Sequence, residues 1–244
     1  MIKKLYGFGR TIKSISKISS YNSENDDVNY FSSRGAIPIG KGSSYGDSSL
    51  NSGGTVINVN SLNSIEIDVD SRIALVGAGA TLAELENQCV KHGLFPFVVP
   101  GTGLVTVGGA IASDIHGKSH HKEGSFSNFV NEIKILLSSG EILNLKPNDS
   151  TSEYFWATVG GMGLTGLILK AELRLKKVET PYVQCTEVRV QTLKQMLDVF
   201  KEFDREFEYT VAWLDLSGKF KGRGKVCGAN HVGSINNLAG KKCF

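Results

Sequence analysis

The sequence predicts an α+β fold in two units, a larger β-rich one and the opening of a second. Three observations carry this. Short β-branched runs separated by turn residues fill residues 36–80. One helix, over 81–93, has a full set of start and stop signals. Beyond Thr180 and Pro181 the pattern changes to strand, helix, strand.

Residues 1–34 read as an N-terminal segment and linker, because ISSYNSENDDVNYFSSR (18–34) is rich in Ser, Asn and Asp and suits surface chain rather than core. The first unit is expected over 35–179. Its strands are AIPI (36–39), TVINV (55–59), SIEIDVD (64–70) and RIALVGAGA (72–80), expected in one sheet. TLAELENQCVKHG follows as a helix: Thr81 caps it, Glu84 completes a capping box, Leu82, Leu85 and Cys89 share a face, and Gly93 ends it. NEIKILLSSGEILNL (131–145) predicts a hairpin around SSGE. SEYFWATVGG predicts a short helix ending at Gly160, and GLILKAELRLKKV (166–178) a half-solvated strand.

The second unit, over 180–244, opens with CTEVRV, TLKQMLDVFKEFDR and YTVAWLDL. Phe200, Phe203, Phe207 and Leu197 share helical spacing and are expected in its core. The last stretch, SGKFKGRGKVCGANHVGSINNLAGKKCF, is thin in large apolar residues and predicts no further helix or strand. The unit is therefore expected not to close, and the chain to read as truncated.

With 41% hydrophobic and 21% charged residues the composition is globular, and a net charge of +3 without clustered cations argues against nucleic acid. Cys89, Cys185, Cys227 and Cys243 lie far apart with no CxxC pair, so reduced structural thiols are expected rather than a zinc ribbon or disulfide frame. The basic start MIKKLYGFGRTIKSISK lacks the apolar core of a secretion signal. LFPFVV (94–99) falls far short of the roughly 20 residues that span a bilayer. A soluble or peripheral protein is expected.

Three glycine clusters invite a phosphate reading. GAIPIGKGSSYGD (35–47) spaces Gly35, Gly40 and Lys41 like a nucleotide-triphosphate loop, but Gly42 stands where a hydroxyl should ligate Mg²⁺. What survives is a small-residue turn, Gly40 to Ser44, suited to an anion-binding nest. GAGATL (77–82) has Leu82 where the dinucleotide fingerprint needs a third small residue, and reads as a tight strand-to-helix turn. VVPGTGLVTVGGAIASDIHGKSHH carries Gly101, Gly103, Gly108 and Gly109 for close approach of a ligand. Asp114, His116, His120 and His121 suggest a metal, but no HExxH spacing supports one, and no metal is expected.

IGKGSSYGD, PGTGLVTVGGAIASDIHGKSHHKEGSFSNFV and FWATVGGMGLTGLI, in that order and at those intervals, resemble the flavoproteins with a vanillyl-alcohol-oxidase or PCMH-type FAD-binding domain. Within that family they look most like the bacterial decaprenylphosphoryl-ribose 2-oxidase subgroup. The likeness is close over 35–178 and weaker at YGFGR (6–10) and AWLD (212–215). It implies a two-lobed PCMH-type FAD-binding domain followed by the beginning of an α+β substrate domain. In that arrangement Ile39, Gly40, Lys41, Gly42, Ser43, Ser44, Tyr45, Gly46, Asp47 and Ser48 cradle the pyrophosphate. Gly101, Thr106, Val107, Gly108 and Gly109 line flavin and diphosphate, His116, Gly117, Lys118 and Ser119 border the isoalloxazine, and Ile168 meets the adenine side. Ser43 stands where many relatives carry the histidine that bonds flavin, so FAD is expected to be non-covalent.

The resemblance further implies oxidation of a secondary sugar hydroxyl, with a polyprenyl-phosphate-linked pentose as substrate and a short-chain reductase as a partner completing an epimerisation. His116 is expected to face the reacting centre, Lys118 to contact a hydroxyl or anion, and Tyr45 to wall the site; which of them takes the proton stays open. Rival readings are a sugar-lactone or alditol oxidase, which usually carries THG where this chain has DIHGK, and a flavin module without activity. Trp213 has two readings, facing the substrate or packing the second sheet. Lys219, Lys221, Arg223 and Lys225 read as a solvated loop or as a contact for a phospholipid-like substrate. A cytoplasmic protein with at most peripheral contact at the inner membrane is expected.

Overall fold

A computed structural model describes residues 1–23, 26, 35–217 and 221–233. Strands β1 (Ile2–Tyr6) and β2 (Lys13–Ser20) form a hairpin. β3 (Ala36–Ile39) and β4 (Thr55–Asn58) complete a four-stranded sheet in the order β1-β2-β4-β3, with β2 and β3 both parallel to β4. The stretch read as a lead-in thus supplies half of a sheet. The sequence hides β2 because its inward positions are serines: Ser14 and Ser16 are buried and bonded to each other at 2.9 Å, while Ile15 between them is exposed.

β5 (Ile65–Asp68) and β6 (Ile73–Gly77) do not join that sheet, which corrects the expectation of one sheet over 36–80. They pair instead with β8 (Val130–Leu136), β9 (Ile142–Leu145) and β10 (Leu167–Lys177) in the order β5-β6-β10-β8-β9. β7 (Leu94–Pro96) lies on the far end of β10. β10 is more buried than a half-solvated strand, because it serves two cores. Leu167 and Leu169 face the first sheet, while Ile168, Ala171, Leu173 and Leu175 face the helices. A register shift between Ile168 and Lys170 makes the switch, as one extra residue turns every later side chain to the other face.

Helix α1 (Leu82–Cys89) starts on the expected capping box, with the Glu84 N–H donating to Thr81 Oγ1 at 3.2 Å, and Gly93 ends the following turn at φ +67°. α2 (Val107–Ala112), α3 (His120–Glu123) and α4 (Ser152–Thr158) are short. Leu82, Leu85 and Cys89 of α1, Val107, Ala110 and Ile111 of α2 and Phe155 of α4 close the core over the second sheet.

The second unit holds β11 (Val183–Val190), α5 (Leu193–Glu206), β12 (Tyr209–Leu214) and β13 (Gly224–His231). β13 runs antiparallel between β11 and β12, so the expectation of no further strand in the last stretch is corrected. Glycine concealed it: a Cβ at Gly228 would enter the rings of Phe207 and Phe203, so the strand's small residues are what seat α5's aromatics. Phe203 and Phe207 are buried with Val190, Met196 and Val226, Phe200 packs against them, and Leu197 departs from expectation by facing solvent.

Candidate active site

Turns distant in sequence meet on one side of the first unit. A Cβ at Gly40 would enter the Thr106 side chain, and Asn60 Nδ2 donates to the Gly40 carbonyl at 3.3 Å. Gly42 (φ +70°) and Gly46 (φ +62°) turn the loop through left-handed backbone. The tip of the β1–β2 hairpin braces it from below. The Phe8 N–H donates to the Ser44 carbonyl at 3.1 Å, and the Phe8 ring meets Tyr45 edge-on at 5.5 Å.

Thr106 caps α2 by accepting from the Gly109 N–H at 3.2 Å. The GAGATL turn seats the same helix, since Ala80 and Ala78 carbonyls accept from the Val107 and Gly108 N–H groups at 2.8 and 2.9 Å. At the other end of α2 the Gly160 N–H donates to Ile111 and the Met162 N–H to Ala112, at 3.0 and 2.8 Å. All three sequence motifs therefore form one wall, the second and third joined by main-chain bonds and the first seated on Thr106 through Gly40.

Not every residue of the wall presents its side chain. Thr106, Val107 and Ile168 are 4%, 0% and 5% exposed, so they shape the core behind the wall and offer almost no surface of their own. Ser119 is fully buried too, its Oγ donating to the Phe97 carbonyl at 3.1 Å. Lys41, Tyr45, Gly46, Asp47, Gly101 and Gly109 are exposed; Ile39, Gly40, Gly42, Ser43, Ser44, Ser48 and Gly117 are half-buried.

The DIHGK segment alternates in the same way. Gly117 lies where a Cβ would meet the Val99 carbonyl, and Ser119 is pinned to Phe97, so residues 117 and 119 anchor inward. His116 and Lys118, between and beside them, are exposed. His116 bridges to Ser125, and its ring meets His120 edge-to-face at 5.3 Å. Asp114, at φ +38°, accepts from the Ser127 N–H at 3.0 Å and so is a turn-forming side chain. Among the described residues no group of three His, Cys, Asp or Glu could hold a metal ion.

Several contributors escaped the sequence reading. The Thr210 N–H of β12 donates to the Lys118 carbonyl at 2.8 Å, and His121 reaches the Phe207 carbonyl through Nε2 at 3.0 Å. Glu86 leaves Oε1 buried without a hydrogen-bond partner; burial pushes its carboxyl above the usual range, and Lys118 is the cation that pulls it back. Burial, with Glu86 nearby, pushes the Cys89 thiol up to about 12, the behaviour of an inert thiol. Glu86 could have been found, since it lies one helical turn from Leu82 and beside Cys89 on an otherwise apolar face.

Residues 28–146 match the protein family described as FAD binding domain. Over that stretch the chain is similar to this domain. It is 39% identical over 225 residues to the decaprenylphosphoryl-β-D-ribose oxidase of Mycolicibacterium smegmatis, covering 89% of this chain and 49% of that protein. It is 34% identical over 126 residues to the D-lactate dehydrogenase of Archaeoglobus fulgidus, covering 50% of this chain and 28% of that one. The crystal structure of 6-hydroxy-D-nicotine oxidase from Arthrobacter nicotinovorans superposes with a TM-score of 0.76 at 18% identity, over 96% of this chain and 54% of that one. That likeness shows the fold. The chain spans half or less of the length of these curated relatives.

The wall suits the cofactor this domain family binds. Small residues bring main chain to the surface at Gly101 and Gly109, and Gly101 has nothing within 4 Å of where a Cβ would stand. Two buried polar atoms, Asn60 Oδ1 beside the Gly40 loop and Thr165 Oγ1 in the third motif, lack partners and suit ligand hydroxyls or a base edge. A cavity of about 160 Å³ opens beside Thr165, between Ala36, Pro38 and Leu164.

Proposed function

We propose that the chain belongs to an FAD-dependent oxidoreductase that oxidises a secondary hydroxyl of a sugar, a polyprenyl-phosphate-linked pentose. The observation that carries the proposal is the display of His116 and Lys118 side by side from a pinned segment, next to the cofactor wall. FAD, when bound, accepts the hydride from the sugar carbon. Of this chain's own groups, the Gly40–Ser48 loop holds the diphosphate, since glycine turns let main-chain donors converge on charge. His116 meets the hydroxyl that loses its proton, Lys118 fixes a second oxygen, and Tyr45 supplies an aromatic wall with its own hydroxyl. Trp213, 76% exposed on β12, is assigned to the substrate side rather than to packing. With Ser43 in the first loop, no side chain there forms a flavin bond.

The same reading divides the chain into an FAD-binding domain and the start of a substrate domain after residue 179. It also pairs the protein with a short-chain reductase that returns the ketone as an epimer. Its location would be cytoplasmic, with the lipid-linked substrate met at the inner membrane face. Among the described residues no helix is long and apolar enough to cross a membrane.

A visible absorption spectrum before and after acid precipitation tests the cofactor assignment. The expected result is a two-band flavin spectrum whose colour leaves with the supernatant. Folded protein that stays colourless after incubation with FAD would overturn the reading.

A further inference from the structure

A cavity of about 920 Å³ lies on the second unit, away from the flavin wall. Its base is a cross-strand row. Arg189 of β11, Lys225 of β13 and Trp213 of β12 are register partners, so their side chains leave the same face of the sheet. That face is opposite α5, whose side is lined by their strand neighbours Val188, Val226 and Ala212. Trp213 and Leu216, 76% and 69% exposed, add apolar surface, and Arg223 stands at the rim.

Charge is uneven there. Asp215 is the only carboxylate among the described residues of the lining, and it is already engaged by Arg223 Nε at 3.0 Å and by Ser217. Lys225 reaches Glu187 at 2.7 Å, an exposed pair that contributes little and opens readily. Arg189 adds a third cation that acts on Glu187 only weakly. A cavity with surplus guanidinium and ammonium over an indole suits an anion joined to a hydrocarbon. Arginine grips a phosphate with its fork, lysine as a point charge, and the indole and Leu216 take the chain.

The position fits one long ligand. Thr210, which holds the Lys118 carbonyl, and Trp213 belong to the same strand. At roughly 3.3 Å per residue they are about 10 Å apart along it, within reach of one ligand that carries a phosphate on its sugar.

We propose that Arg189, Lys225 and Trp213 form a subsite for the phosphate and first isoprene units of a lipid phosphate. The substrate class rests on the function proposed above, whereas the subsite rests on the cavity and its charges. The test uses the full chain carrying Trp156→Phe, which leaves Trp213 as its single tryptophan. Farnesyl phosphate below its micellar concentration is titrated against Trp213 fluorescence. A saturable change is expected, weakened at least tenfold in Arg189→Ala/Lys225→Ala and weakened by salt. Farnesol and inorganic phosphate are each expected to bind at least tenfold more weakly.

No saturable change, or equal binding by the double variant, would overturn the subsite. Equal binding of farnesol would reduce it to an apolar patch, and equal binding of inorganic phosphate to a simple anion site; either overturns the proposal. The flavin spectrum of the double variant separates the two readings, since neither residue belongs to the flavin wall. Flavin bound without farnesyl phosphate binding removes the subsite alone, and farnesyl phosphate bound by a chain that cannot take flavin removes the oxidoreductase.

Discussion

Two junctions hold this molecule together, and they are built from opposite materials. Where the first sheet meets the second, Tyr21, Ile57 and Val59 pack on Leu136, Leu167 and Leu169, each 4% exposed or less. Where the second unit meets the first, the contacts are polar. Lys176 pairs with Glu208 and donates to Tyr209 Oη at 2.6 Å, His121 Nε2 reaches the Phe207 carbonyl at 3.0 Å, and Thr210 holds the Lys118 carbonyl. Hydrocarbon packing is non-directional and tolerates no gap, so the first junction needs shape, including glycine at 77 and 79, where a Cβ would collide with the Leu62 and Val59 carbonyls. Hydrogen bonds are directional, so the second junction sets orientation. The difference teaches that the flavin unit behaves as one body, with the second unit clasped onto the segment that displays Lys118.

The comparison breaks first at its apolar side. Leu169→Ala removes a side chain 1% exposed from between the sheets, and is expected to cost about 2–5 kcal/mol in urea denaturation, with flavin released in the same transition. A cost below about 1 kcal/mol would mean that the sheets are joined by something else. Lys176→Met tests the polar side. It leaves Glu208 without its partner in a setting where the two side chains are 12% and 26% exposed, and the expected cost is about 1–3 kcal/mol. Limited proteolysis should then cut near residues 178–183 and free the second unit, while flavin stays with the first. Cutting that remained unchanged would show that the clasp does not hold the units together.

This contrast also explains what the sequence disclosed. The apolar helix face of α1, its capping box and the Val130–Leu145 hairpin were legible because periodicity and caps are local signals. The glycine motifs were legible as a group, and the structure brings them to one wall. β2 was not, since buried Ser14 and Ser16 invert the usual pattern, and neither was β13, whose Gly228 yields its place to Phe203 and Phe207. The switch of faces in β10 lay hidden behind an unbroken alternation of apolar residues, Leu167, Leu169, Ala171, Leu173 and Leu175, because a bulge leaves no mark in composition. The clasp was invisible for a different reason. His121, Asp204, Glu208 and His231 each look like surface residues, and only the fold brings each to its partner.

The smallest expected effect is one of pH, and it belongs to the clasp alone. His231 Nδ1 faces the Thr180 carbonyl at 3.1 Å, which can only accept, so Nδ1 carries the proton and Nε2 accepts from Tyr209. Burial lowers the pKa of this imidazole, and Lys176 acts in the same direction, against Glu208 and the Thr180 and Tyr182 main chain, which favour the charged form. A base whose folded value lies below its unfolded value of roughly 6.5 binds fewer protons when folded. Stability therefore falls as the pH drops through the window just below that value, and recovers as it rises. Protonation would take the acceptor from Tyr209 and set a second cation beside Lys176. His231→Gln keeps a donor and an acceptor but cannot titrate, so urea denaturation at pH 7.5 and 5.5 should show a smaller loss on acidification than in the parent chain. The difference should appear in the release of the second unit by proteolysis and be absent from the transition of the apolar junction. Equal losses in both proteins would place the acid sensitivity outside this contact.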